Sequence, residues 1–440
     1  MNANILRGPV LPSLIAVGVV AASVAGTVAL TGKHKAAAAA PPAPAAPPPI
    51  RNAAWVVDGA RNAASLSTLT GFWIGPDVVV RGGIDGLHAM KRTDGTPAWD
   101  LPTPGGGDLC GMSAGVDGGI GIVAAHGTPA TWGGGTGECS VVSGVDLATG
   151  KVLWTVPISK SFGEPAAGAA DYAATDGMAV VDSDRSETKP GIVALDLKTG
   201  VEKWTHPGDC EHRPNAFAVT GTKVAIAEVC PGQSQAAVKV LDAGSGAPVP
   251  NAAVPVSTGQ DRPQFVTADP VVVADSAHPK ALSFGAGAPA PVAGQDRLFA
   301  SLATFGASRA QVSVGAGVLC VGGQTALCWS TAGTTTGSAI VPKGLPNTGA
   351  EHHDVFAVLG AGAAARIVTT GVSAHPRAAL CRIAPDGAAV VEADLSQPVS
   401  DYLGKNGTAE SVLIYGDAKD LFVVDPHPSG GTAVIDVRLG

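Results

Sequence analysis

AMKRTDGTPAW (residues 89–99), GVDLATGKVLW (144–154) and ALDLKTGVEKW (194–204) are three copies of one pattern: an apolar run, a turn rich in Asp, Thr and Gly, and a tryptophan four residues after the turn glycine. Apolar alternation, a turn and a second β-rich run together make an antiparallel hairpin. Weaker copies follow in VKVLDAGSGAPV (238–249), ALSFGAGAPAPV (281–292), LCWSTAGTTTGSAIV (327–341), ALCRIAPDGAAVV (379–391) and FVVDPHPSGGTAVI (422–435).

Upstream of the hairpins lie further β-rich runs with a glycine-containing break, such as AAGAADYAATD (166–176) and GMAVVDSD (177–184) ahead of the 194–204 copy. That makes four strands per unit at a period of roughly 40–55 residues, the spacing of propeller blades. The predicted fold is all-β: an eight-bladed β-propeller of four-stranded antiparallel blades, with seven blades as the alternative count. AAWVVDG (53–59) is a candidate closing strand for the last blade, joining the two chain ends. The composition agrees, since 59 Gly and 34 Pro with 15% charged residues suit short strands and tight turns better than long solvated helices.

Ahead of the repeats the chain changes character. Residues 1–50 carry Arg7, Lys33 and Lys35 and no acid, leaving 25 basic against 36 acidic side chains in the rest, a formal charge of about −11. An acidic body without a basic run lacks the footprint that displaces counterions from phosphates, so nucleic acid is excluded as a partner. LPSLIAVGVVAASVAGTVALTG (11–32) is uncharged and long enough to span a bilayer as one helix, longer than the usual apolar stretch of a signal peptide. The organisation expected is a short flank (1–10), a transmembrane anchor or signal segment (11–32), an Ala/Pro-rich spacer (33–50) and the propeller (51–440). It places the propeller outside the cytoplasm at the cell membrane, or secreted if the segment is cleaved.

The 11-residue copies resemble the repeat of the pyrroloquinoline-quinone (PQQ) type, with the signature Ala-x-Asp-x-x-x-Gly-Lys-x-x-Trp. GVDLATGKVLW departs only at its first residue. ALDLKTGVEKW keeps Ala194, Asp196, Gly200 and Trp204 with Val201 in place of Lys, and the first copy keeps Ala89, Gly95 and Trp99. Physically, Asp146 and Asp196 can accept hydrogen bonds from turn amides, and Gly95, Gly150 and Gly200 permit positive φ. The resemblance implies that Trp99, Trp154 and Trp204 dock between blades, as structural rather than catalytic residues. It has two functional branches, quinone-dependent dehydrogenases and non-enzymatic scaffolds of the BamB-like kind. The alcohol-dehydrogenase branch is similar throughout in a vicinal cysteine pair and in Glu, Asn and Asp calcium ligands; no adjacent cysteines occur here and no residue matches those ligands.

All seven cysteines follow the apolar segment, which suits an oxidising compartment. Cys110 and Cys139 are placed ahead of the first and third strands of the second unit, and Cys210 and Cys230 hold the same stations in the fourth, so two loop-tying disulfides are expected. Cys320 and Cys328 flank VGGQTAL, and a tight hairpin there sets them opposite one another as a third pair; Cys381 is left over, as a buried thiol. EHHD (351–354) groups metal-ligating side chains, but neighbours on a strand point to opposite faces, so it is read as a surface polar cluster. VVDSDRSETKPG (180–191) lacks the ligand spacing of a calcium loop. No nucleophile-elbow, zinc-helix or phosphate-loop motif appears.

The reading is therefore a monomeric, non-enzymatic binding scaffold or sensor with no cofactor, metal or catalytic residue, presenting a propeller to a protein, peptide or glycan at the cell surface. The alternative is a propeller enzyme, either a quinone-dependent dehydrogenase or a metal-dependent lactonase-like hydrolase.

Overall fold

The structure is a computed structural model. It describes residues 48–58, 69–126, 139–158, 172–183, 191–207, 216–229 and 235–249, then individual strands between 254 and 358, then 365–371, 376–384, 388–406, 412–426 and 432–439. The expected membrane segment (11–32), the spacer up to residue 47, Cys210, Cys230, Glu351 and His352 lie outside the described residues. Among the described residues no helix is long and apolar enough to cross a membrane. The chain divides into two units, Met1–Pro47 and Pro48–Gly440, and the second begins inside the stretch read as spacer, where Ile50–Arg51 is already strand.

The described part of the second unit is mostly β. It forms eight antiparallel sheets of four strands, one of them extended by a fifth, an architecture consistent with a β-propeller. The first sheet orders Gly71–Ile74, Val78–Gly83, Gly86–Lys91 and Pro97–Pro102 as neighbours in chain order, and the next six repeat that plan. The last sheet does not. Its first three strands are Leu413–Gly416, Asp420–Val424 and Thr432–Arg438, and its fourth is Ala53–Asp58 from the start of the unit, antiparallel to Thr432–Arg438. FVVDPHPSGGTAVI thus spans the second and third strands of its sheet, one station earlier than the other seven hairpin marks. This unit enters the repeat series one strand out of phase, so its first and last stretches share a sheet.

The core is distributed between the sheets. In the third sheet, Val193 and Leu195 pack with Ile122 and Val142 of the second, while Ile192 and Ala194 pack with Val224 and Ile226 of the fourth. Strand alternation sends successive side chains to opposite faces, so a sheet between two neighbours needs apolar residues at every position of its inner strands. This accounts for the fully buried pattern of Val78–Gly83 and Ile120–Ala125. Further clusters join the first and second sheets, the sixth and seventh, the seventh and eighth, and the eighth and first.

Two features depart from the repeat. The α-helix Gln397–Asn406 follows the seventh sheet and packs Val399 and Leu403 among Val368, Leu380 and Val412. Ser396 stands before its first residue, Pro398 lies in its first turn, and the Ser400 amide donates to the Ser396 carbonyl, all ordinary helix-start chemistry. An all-β reading has no place for this helix. The second departure is Ile50–Arg51, which adds a parallel fifth strand to the outer edge of the seventh sheet, pairing with Asp394 and Leu395. It covers backbone groups that an edge strand otherwise leaves open.

Candidate functional site: the turn face and the closing seam

Each outer-strand indole crosses to the following sheet and lies on the glycine of that sheet's hairpin turn. Trp99 donates to the Leu147 carbonyl at 3.0 Å, Trp154 to Leu197 at 2.8 Å and Trp204 to Ala243 at 2.9 Å. A Cβ on Gly150, Gly200 or Gly246 would stand 2.6, 2.8 or 2.7 Å from the ring above it, and these glycines have φ of +71°, +71° and +69°. Glycine is required twice over, by the left-handed backbone and by the ring's approach. The signature's first position has a reason too. Ala89, Gly144 and Ala194 stand opposite Trp99, Trp154 and Trp204 in the strand register, and only a small residue leaves room for the ring.

The turn aspartates are spent locally. Asp146 Oδ1 accepts from the amide and hydroxyl of Thr149 at 2.9 and 2.7 Å, and Asp196 Oδ1 from those of Thr199 at 3.0 and 2.9 Å. Asp242 does the same with Ser245, and Asp94 with Thr96. The Thr199 hydroxyl, with the Lys203 amine and the turn amide, holds the Asp196 carboxyl below the usual carboxylate range. Asp94 and Asp242 are lowered likewise, first by the hydroxyls of Thr96 and Ser245.

A fourth staple closes the seam between the last and first sheets. Trp55, on the strand contributed by the start of the unit, donates to the Arg92 carbonyl at 2.9 Å and covers Gly95, whose φ is +71° and whose Cβ would stand 2.7 Å from the ring. Trp55 therefore takes the station of the tryptophan that the C-terminal strands lack. Phe422, Phe72 and Tyr415 continue from it as a line of rings with centroids 5.0–6.0 Å apart. Arg92 lies 5.8 Å from the Phe422 centroid.

The seam is also where charge is buried. Arg92 Nε donates to Asp420 Oδ2 at 2.9 Å, Nη1 to the Gly75 carbonyl at 2.8 Å, and Nη2 pairs with Asp417 at 2.9 Å and with Asp420. Burial pushes the Asp417 carboxyl up, but the amides of Lys419 and Asp420 and the Arg92 charge outweigh it, so it stays lowered. Gly75, Pro76, Arg92, Asp417 and Lys419 line a cavity of about 320 Å³ beside this pair. Towards the other end of the same strands, buried Arg81 donates to the Asp425 carbonyl at 3.5 Å, and Tyr402 to Asp425 Oδ2 at 3.2 Å. Burial lowers the Arg81 pKa to about 10. His88 lies between Asp100 (2.8 Å) and Asp85 (3.3 Å) on the same sheet.

Among the cysteines, Cys110 lies within the first strand of the second sheet, Leu109–Met112, rather than ahead of it, and is bonded to Cys139. Cys320 and Cys328 are register partners on adjacent strands and are bonded, with Cα atoms 4.0 Å apart. Cys381 is buried and free, and burial pushes its thiol up to about 12. His353 and Asp354 begin a strand of the seventh sheet, and among the described residues no group of three or more metal-ligating side chains occurs. Replacing Cys110 and Cys139 by serine releases a loop of 29 residues and is expected to cost about 3–4 kcal/mol of stability. Urea unfolding of the oxidised and doubly substituted proteins measures it; equal midpoints would show that the bridge does not constrain the unfolded chain.

Sequence reasoning missed Trp55 as a staple, and Arg92, Asp417, Asp420 and Asp436 altogether. Trp55 carried a signal, a tryptophan in the run proposed to close the last unit. The charged residues carried none: Arg92, Asp417 and Asp420 sit in ordinary polar turns or at a strand end, Asp436 lies within a strand, and the four come together only when the ends of this unit meet.

The fold and seam define a mostly β protein of repeated four-stranded sheets whose last sheet is completed by the strand Ala53–Asp58 from the start of its body. No family model and no curated protein matches the chain. Its structure overlaps BamB from Moraxella catarrhalis (13% identity, 84% of this chain and 83% of that one, TM-score 0.35). It also overlaps U3-55K (9% identity, 84% and 95%, TM-score 0.42), and the quinohemoprotein alcohol dehydrogenase ADHIIG from Pseudomonas putida HK5 (10% identity, 88% and 76%, TM-score 0.44). At these scores the overlaps carry no argument about activity.

Proposed function

We propose that this protein is an eight-bladed propeller held outside the cytoplasm by residues 11–32, serving as a non-enzymatic binding scaffold or sensor for a protein, peptide or glycan partner. The observation that carries this reading is the turn face. Four successive hairpins present a turn covered by an indole from the preceding sheet; in three of them an aspartate four residues before the glycine locks the turn, and in the first Asp94, beside Gly95, bonds Thr96 instead. Such a surface is organised before it meets a ligand, and less ordering entropy opposes binding there. The bonds Cys110–Cys139 and Cys320–Cys328 support an oxidising compartment.

Crosslinking the full chain in intact cells with an amine-reactive, membrane-impermeant reagent tests both parts. Lys151 and Lys198 are exposed beside the turns, and crosslinks from them to one recurrent neighbour are expected. Protection of both lysines until the cells are lysed would refute the location. Turnover of a sugar or alcohol by the purified protein with added quinone and calcium would refute the scaffold.

A further inference from the structure

Asp436 is fully buried in the third strand of the last sheet, directly opposite Trp55 on the closing strand and Phe422 on the other side. Neither of its carboxyl oxygens has a hydrogen-bond partner. The nearest cation is Arg438 on its own strand, with Nε 3.9 Å from Oδ2. Asp420 and Asp417, from the preceding strand and its turn, bear on it as like charges, and Arg92 of the first sheet is committed to those two carboxylates. The closing strand sets Trp55 directly opposite it, with the strand's one acid, Asp58, three residues further along. An ionised carboxylate in such a place loses its hydration without recovering hydrogen bonds, and two neighbouring negative charges oppose it.

We propose that Asp436 makes the ring closure pH-responsive: the closing strand Ala53–Asp58 is held firmly while Asp436 is protonated and loosens when it ionises. Desolvation first, then the charge of Asp420, raises this carboxyl from 3.8 to about 7, against the partial relief of Arg438 and Arg92. An acid raised in the folded state stabilises fully below its unfolded value, and the contribution is lost as pH rises through the folded value. Between pH 5 and about 7 the folded protein holds one proton that the opened one does not, so opening becomes about tenfold easier per pH unit. Above that range the effect levels off. The inference concerns the seam alone and does not depend on any partner.

Hydrogen exchange of the full-length protein, corrected for intrinsic rates, tests it by following the 53–58 amides at pH 5 and pH 8. Protection is expected to fall about a hundredfold in this strand, with Met178–Ser183 of the third sheet as the internal reference. In Asp436→Asn the pH dependence should vanish and protection at pH 8 should exceed that of the parent. If the parent strand is equally protected at both pH values, or if Asp436→Asn keeps the same dependence, the proposal is wrong. Should that variant misfold, the parent measurement stands, and Asp436→Leu offers a second neutral replacement.

Discussion

Trp154→Ala should lower the stability of the protein by about 3–5 kcal/mol, the range for losing a buried aromatic side chain. The ring is 9% exposed and lies among Ile122, Val193 and Leu195, so its removal opens a void between two sheets instead of trimming a surface. The Leu197 carbonyl also loses its donor, at a further cost of about 1 kcal/mol. Gly200→Ala attacks the same contact from the other side, through backbone strain at φ +71° and a methyl group in the ring's place. The two effects cannot add. Once Trp154 is absent, the methyl group has nothing to strike, and Gly200→Ala should cost only its backbone strain. Urea midpoints of both single variants and the double variant measure this coupling. Full additivity would mean that the indole does not rest on the turn.

Arg92→Met should be nearly as damaging, about 3–5 kcal/mol, for an electrostatic reason. Removing one partner of a buried ion pair leaves the other charge unanswered, and here Asp417 and Asp420 lose their common cation while Asp436 loses part of the positive charge near it. Part of the loss should disappear as Asp436 takes up its proton, so thermal melting at pH 5 should separate variant from parent less than at pH 8. Arg92→Lys should recover only part of the stability. One ammonium cannot serve Asp420, Asp417 and the Gly75 carbonyl with the fixed fork that the guanidinium uses. Equal melting of Arg92→Met and the parent at pH 8 would show the seam to be held by its aromatic line alone.

Acid acts on this protein in two opposite ways. The turn carboxyls of Asp94, Asp196 and Asp242 are held low, so whatever they contribute is present at neutral pH and is lost as pH falls through their depressed values. Asp436 favours the folded state as pH falls from about 7. The two windows barely overlap, which places the firmest closure at mildly acidic pH.

Local chemistry determined much of what the sequence displays by itself. The hairpin at 194–204 is legible because Asp196, Thr199 and Gly200 interact within a few residues, and the continuous apolar run Ile192–Leu195 marks a strand buried on both faces. Tertiary structure alone decided the rest. That Trp55 completes the last sheet, that Arg92 meets Asp417 and Asp420 more than 300 positions away, and that Asp436 is buried beside them all follow from bringing the first and last strands of this unit together. A turn is written in neighbouring residues, whose side chains reach one another in any conformation near the native one. A seam is written in residues that meet only after every intervening sheet has packed, and no short pattern records that meeting.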